Sequence, residues 1–260
     1  MWVQKCSQRW LQYREYSVGG GYCGLFCPPL CPVCGCQVTS NGSLCPDCWK
    51  NVHFLDGPVC VCCGTPFEVD SGAAMMCGAC LSRPPAFDRA RAVLRYTDSS
   101  KAPVLALKHG DRLDLAPLLA RWMLRSGTDL ILDSDCIVPV PLHRRRLWLR
   151  RYNQAAELAR CLARVTGLTY APQVLRRWRA TKSQGDMPSA SARRHNVRGV
   201  FMVPVAQRDF VNGQRILLID DVLTTGATAE ACARVLLRAG AKKVSVLAVA
   251  RVVRGADNII

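Results

Sequence analysis

Four Cys-x-x-Cys pairs, Cys31/Cys34, Cys45/Cys48, Cys60/Cys63 and Cys77/Cys80, constrain this chain more than any other feature. The pairs are separated by 10, 11 and 13 residues. A two-residue spacer turns both sulfurs toward one ion on a tight knuckle, and two knuckles complete a closed, tetrahedral, structural zinc site. Eight ligands in four regular pairs therefore predict two structural Zn²⁺ ions. Pairing the first unit with the second and the third with the fourth is simplest; a crossed pairing satisfies the spacing too. Cys62, beside Cys63, leaves one ligand position ambiguous, and Cys36 is spare. A thioredoxin-type redox role needs a single pair ahead of a helix in a βαβ context, and that context is absent.

The chain carries 16 cysteines, 13 of them before residue 81. Disulfide-rich proteins belong to oxidising compartments and carry an export signal. Residues 1–29 show no apolar signal region, because Lys5, Arg9, Arg14 and Glu15 interrupt them. A reducing, cytoplasmic setting is expected, in which clustered cysteines hold metal. No apolar run approaches the roughly 18 residues of a membrane helix, so membrane insertion is not expected. The formal charge of +16, from 35 basic and 19 acidic residues, makes phosphates and polyanions plausible partners. A solvated basic surface has the same composition.

Three regions follow from the pattern. Residues 1–29 read as a loose extension with Gly19, Gly20 and Gly21. Residues 30–82 are turn-rich and hold the cysteine pairs, forming a double zinc ribbon. Arg83-Pro84-Pro85 reads as a linker, since consecutive prolines end regular structure. Residues 87–260 alternate apolar strands with amphipathic helices, which predicts an α/β domain with a parallel sheet. Strands are expected at Val93–Tyr96, Ile137–Val140, Ile216–Ile219 and Val244–Val249. Helices are expected at Pro103–His109, Leu113–Arg125, Asn153–Thr166 and Thr228–Ala239.

The sharpest motif in that domain is Ile216-Leu217-Leu218-Ile219-Asp220-Asp221-Val222-Leu223-Thr224-Thr225-Gly226-Ala227-Thr228. A buried strand runs into two acids, then a small-residue loop, then a helix. The loop N–H groups and the helix N-terminus form an anion cradle. Thr224, Thr225 and Thr228 add hydroxyls, and Gly226 lets the backbone approach an oxyanion closely. Acids at the C-terminal end of a sheet strand lie where open α/β sheets bind ligands. Vicinal hydroxyls are natural partners for Asp220 and Asp221. An N-capped helix after a buried strand would show some of the same pattern, but paired acids there are costly without a ligand or cap.

This segment resembles the 5-phosphoribosyl-1-pyrophosphate (PRPP) motif of type I phosphoribosyltransferases. Three further segments narrow the resemblance to the ComF/GntX family. They are Val138-Pro139-Val140-Pro141-Leu142 continued through Arg144 to Gln154, the Leu107-Lys108-His109-Gly110-Asp111 element, and Thr181, Gln184 and Asn196 to Phe201. The double cysteine ribbon belongs to the same family pattern. The likeness covers about residues 31–253 and departs from the family around Arg150-Arg151-Tyr152 and between Gly185 and Arg194.

The resemblance implies a phosphoribosyltransferase-like fold binding PRPP with Mg²⁺. Asp220 and Asp221 would contact the ribose hydroxyls, and Thr224 to Thr228 the 5′-phosphate. Lys108, Arg144, Arg145, Arg150 and Arg151 are candidates for pyrophosphate contact, Asn153 and Gln154 would also bind PRPP, and Asp220, Asp221 and Lys108 form the catalytic set. Thr224 occupies the position of an acid that assists the base in 6-oxopurine transferases, which argues against hypoxanthine or guanine as acceptor. His109, His143 and His195 are general acid–base candidates and, equally, ordinary surface histidines. The cellular setting that the resemblance implies is natural DNA uptake or use of imported DNA. A second reading is a basic accessory that binds single-stranded DNA and DNA-uptake proteins while retaining the fold without catalysis. In that reading Trp148 and Tyr152, interleaved with arginines, would stack on bases. A third is a scaffold that docks partners through the ribbons.

Overall fold

A computed structural model describes residues 28–31, 33–40, 42–69, 74–98, 100–109, 112–143, 147–148, 151–179, 196–197 and 199–253. The chain divides into two compact units, Met1–Val52 and His53–Ile260. The two halves of the expected ribbon region thus fall in different units.

In the first unit, Leu30 and Gln37 form an antiparallel bridge around a knuckle in which Gly35 N–H donates to Cys31 O at 2.8 Å. Helix α1 (Pro46–Lys50) follows, with Cys45 as its N-cap.

The second unit begins with a second knuckle and helix α2 (Gly78–Ser82). Then come β1 (Ala90–Arg95), α3 (Ala102–His109), α4 (Ala116–Ser126), α5 (Thr128–Leu132) and β2 (Cys136–Pro139). They are followed by α6 (Gln154–Thr166), β3 (Thr169–Tyr170), β4 (Arg176–Arg177), β5 (Phe201–Met202) and α7 (Arg208–Val211). The unit ends with β6 (Arg215–Leu223), α8 (Ala227–Arg238) and β7 (Lys243–Arg251). The main sheet has the order β1-β7-β6-β2-β3 and every pairing in it is parallel. The strands nearest its centre read as continuous apolar runs because both faces are covered. Ile216, Leu217, Leu218 and Ile219 of β6 are all 1% exposed or less.

The helices form where the spacing places them, and their ends have local causes. Asn153 caps α6 by accepting from Ala155 N–H at 3.1 Å, and Gly167 closes the helix at φ 74°. Leu113–Leu115 is a 3₁₀ turn and the α-helix starts only at Ala116, next to Pro117, whose missing N–H is harmless in a first turn. Strand β6 is longer than its apolar run suggests. It continues through both acids to Leu223 because β7 pairs with it to Arg251.

One sheet face carries Ile216, Leu218, Val244, Val246, Ala90 and Ala92 into a core with Cys232, Ala233 and Leu236 of α8. The sulfur side chains of Cys60, Cys63, Cys77 and Cys80 belong to this same core. The second knuckle therefore packs against this face of the sheet. Ala90 N–H donates to Cys62 O at 2.7 Å, and Leu55 N–H to Val93 O at 2.9 Å. Gly64, at φ 73°, permits this approach, since a Cβ there would meet Ala90 O at 2.4 Å.

Candidate functional site

The cysteines gather into two groups, Cys31/Cys34/Cys45/Cys48 and Cys60/Cys63/Cys77/Cys80. Within each group all four sulfurs lie within 4.8 Å of one another. The uncrossed pairing is the one adopted, and Cys62 stands outside the second group. Four convergent sulfurs are the donor set of a closed tetrahedral zinc site. Backbone N–H groups are already aimed at the sulfurs. Cys48 N–H donates to Cys45 Sγ at 3.4 Å, and Cys63 and Cys77 N–H donate to Cys60 Sγ at 3.5 and 3.3 Å. The Cys60 thiol is lowered to about 4, first by its bond with the Cys63 thiol and then, against burial, by these N–H donors. Such donors favour the thiolate, which is the form a metal takes.

At the C-terminal end of β6, Asp220 and Asp221 stand next to each other. Asp221 N–H donates to Asp220 Oδ1 at 2.9 Å. Desolvation, and then the charge of Asp221, pushes the Asp220 carboxyl up to about 8. Lys108, at the last turn of α3, places Nζ 3.2 Å from Asp221 Oδ2, with both side chains under one-fifth exposed. The loop then turns through Gly226 at φ 75° into α8, and Gly226 O accepts from Glu230 N–H at 2.8 Å. Thr225 Oγ1 is buried without a hydrogen-bond partner. A buried hydroxyl left unpaired beside a helix N-terminus fits an oxyanion ligand. A recess of about 430 Å³, lined by Phe54, Phe67 and Arg95 among others, contains none of the expected site residues.

Comparison with known proteins bears on both features. Residues 22–81 match the double zinc ribbon domain, and residues 154–259 match the phosphoribosyl transferase domain. The DNA utilization protein YhgH of Salmonella typhimurium is 35% identical over 228 residues, covering 85% of this chain and 90% of that protein. The chain belongs to the ComF family. Competence protein F of Haemophilus influenzae is 29% identical over 220 residues, 83% of this chain and 93% of that one. Competence protein ComFC of Bacillus subtilis is 24% identical over 204 residues, 76% of this chain and 79% of that one. The ComF architecture of cysteine ribbon and phosphoribosyltransferase-type domain is thus the one present, as its motifs imply.

In this ComF protein the segment after β2 holds α3 in place. Tyr152 OH donates to Leu107 O at 2.6 Å, and Gln154 Nε2 to Lys108 O at 3.5 Å. Asn153 Nδ2 donates to Val140 O at 3.0 Å while its oxygen caps α6. Gln154 is 1% exposed. Tyr152 and Gln154 therefore hold the turn that presents Lys108, while Asn153 ties the start of α6 to Val140. Arg151 is exposed and sits at φ 62°, the only non-glycine with positive φ among the described residues. Arg144, Arg145 and Arg150, with Thr181, Gln184 and His195, lie outside the described residues, as does the side chain of His109. Thr224, Thr228 and His143 are half-buried.

One residue escapes any sequence motif. Arg251, at the end of β7, is 8% exposed. Its Nη1 donates to Cys63 O at 2.8 Å, and its Nη2 reaches Thr65 Oγ1 and, at 3.6 Å, Cys63 Sγ. No local signal could find it, because its partners are 186 and 188 residues away. No helix among the described residues is long and apolar enough to cross a membrane.

Proposed function

We propose that this ComF protein binds PRPP with Mg²⁺ as a phosphoribosyltransferase-like protein, acting in the cytoplasm in DNA uptake or the use of imported DNA. The observation that carries the reading is the union of Lys108, Asp221 and Asp220 beside a loop whose Thr225 hydroxyl is buried and unpaired. The names of the relatives, competence and DNA utilization proteins, supply the cellular setting.

Each residue has a task in pentosyl transfer. Asp220 and Asp221 engage the vicinal hydroxyls of the ribose. The raised Asp220 carboxyl keeps its proton near neutrality, so it donates to one hydroxyl while Asp221 accepts from another. The loop from Thr224 to Thr228 holds the 5′-phosphate through N–H groups and hydroxyls. Lys108, ion-paired with Asp221, stabilises charge that develops on departing pyrophosphate. Arg144, Arg150 and Arg151 belong to the same electrostatic task. Mg²⁺, held mainly by substrate oxygens, supplies neutralisation of the pyrophosphate when bound. The two cysteine groups would each hold one structural Zn²⁺. Calorimetric titration of PRPP with Mg²⁺ into zinc-loaded protein tests the reading. Binding that is lost in Asp220→Asn/Asp221→Asn supports it, and absence of binding to the wild type overturns it.

A second reading keeps one specific support. Trp148 is 89% exposed within the basic run, which suits stacking on an unpaired base. Tyr152 is committed to Leu107 O instead. Quenching of Trp148 fluorescence by single-stranded DNA, with steep salt dependence, would favour this reading.

A further inference from the structure

The segment Arg83-Pro84-Pro85-Ala86-Phe87 leads from α2 toward β1, and both of its ends are fixed. Cys80 just before it and Phe87 at its end are each 4% exposed and lie in the same core. Two consecutive prolines restrict φ and stiffen the stretch between them. Pro84, Pro85 and Phe87 line one cavity of about 240 Å³ together with Thr224, Thr225 and Gly226, so the segment stands beside the loop after β6.

Two contacts tie the segment to that loop. Ala86 N–H donates to Glu230 Oε2 at 2.9 Å, across 144 residues of chain. Glu230 N–H in turn donates to Gly226 O at 2.8 Å. Glu230 thus holds the segment with its side chain and the loop with its backbone. Its side chain is 18% exposed, and a hydrogen bond to a charged acceptor in such a place is stronger than a neutral one. The other oxygen, Oε1, accepts from Arg234 Nε at 2.9 Å. The second contact is apolar. Phe87 Cε1 lies 3.8 Å from the place a Gly226 Cβ would take, so the ring edge packs beside the loop residue with φ 75°. The helix dipole accounts for an acid in the first turn of α8, but not for its bond to Ala86.

A loop that receives a ligand on its backbone N–H groups binds more tightly when those groups are aimed in advance, because ordering the loop on binding lowers affinity. We propose that Glu230 and Phe87 are positioning residues for the loop after β6, and that residues 83–87 are the fixed support against which they hold it. The proposal rests on the reading of the loop as a sugar-phosphate cradle. It adds that the segment joining the second cysteine group to the α/β fold sets the loop's shape. Neither residue touches the ligand; both act through Gly226.

Two measurements on the zinc-loaded full chain test the proposal: amide hydrogen exchange of residues 224–228 without ligand, and calorimetric titration of PRPP with Mg²⁺. Glu230→Ala and Phe87→Leu raise exchange in the loop while the main sheet is unchanged, and each weakens PRPP binding by about fivefold or more. Glu230→Gln keeps an oxygen for Ala86 N–H and recovers most of both effects. Arg234→Ala removes only the ion pair at Oε1 and leaves both measurements within about twofold of the wild type. PRPP binding that is indifferent to Glu230→Ala and Phe87→Leu overturns the proposal and leaves the proposed function standing. Exchange raised as much in the sheet as in the loop overturns it in favour of general stability. Losses matched by Arg234→Ala overturn it in favour of the ion pair. Higher exchange confined to the loop, in a protein whose wild type binds no PRPP, supports the positioning role and removes the proposed function. Should Glu230→Ala fail to fold, Phe87→Leu carries the same test.

Discussion

Lys108 Nζ stands 3.2 Å from Asp221 Oδ2, joining the last turn of α3 to the end of β6. Both partners are largely buried, so the pair is worth more than a surface ion pair, and removal of one partner strands the other. Lys108→Met is expected to lower stability by about 1–3 kcal/mol and to weaken PRPP binding, with Lys108→Arg intermediate. Urea unfolding and calorimetry on the same preparations check both effects.

Tyr152→Phe deletes only the hydroxyl that donates to Leu107 O at 2.6 Å. The expected loss of stability is about 1 kcal/mol. Because this bond fixes the turn that presents Lys108, ligand affinity falls as well. A stability loss with unchanged affinity would confine Tyr152 to a packing role.

Gly226 needs its φ of 75° to lead β6 into α8. Space is not the constraint, since a Cβ there would sit 3.8 Å from Phe87 Cε1. Gly226→Ala is expected to cost about 1–2 kcal/mol through conformation alone. Gly226→Asn is milder, because asparagine tolerates this region better. Thermal unfolding of the two variants distinguishes conformational from steric cost.

Asp220 makes stability fall as pH rises. Burial and the neighbouring Asp221 push its folded carboxyl up to about 8, well above the ordinary carboxylate range, so the native state holds a proton that the unfolded chain has released. Between about pH 4 and 8 the unfolded state binds fewer protons, and the slope of stability against pH is negative. The slope is below about 1.4 kcal/mol per pH unit. Asp220→Asn removes this contribution. Denaturant midpoints from pH 5 to 8 for the two proteins measure it.

The two cysteine groups are expected to respond differently to substitution. Cys60, Cys77 and Cys80 are 4% exposed or less and belong to the core beneath α8. Cys77→Ser therefore lowers the melting temperature of the second unit by about 5 °C or more. Cys45→Ser, in the first unit, leaves that transition in place. Zinc content and calorimetric scans of both variants test the contrast.

Sequence alone determined the features that depend on near neighbours. Cysteine spacing gave four knuckles, because two sulfurs can converge only across a short turn. Apolar runs and caps located β6, α6 and α8, and the acids followed by small residues marked the loop. Distant pairings were decided by the tertiary structure. Sequence did not choose between crossed and uncrossed cysteine groups, nor did it show Tyr152 and Gln154 holding the Lys108 turn from inside. It held no sign that Arg251 meets Cys63 across 188 residues. Local patterns encode periodicity and turn geometry, whereas such contacts arise only when the sheet order brings strand ends together and burial makes each polar atom find a partner.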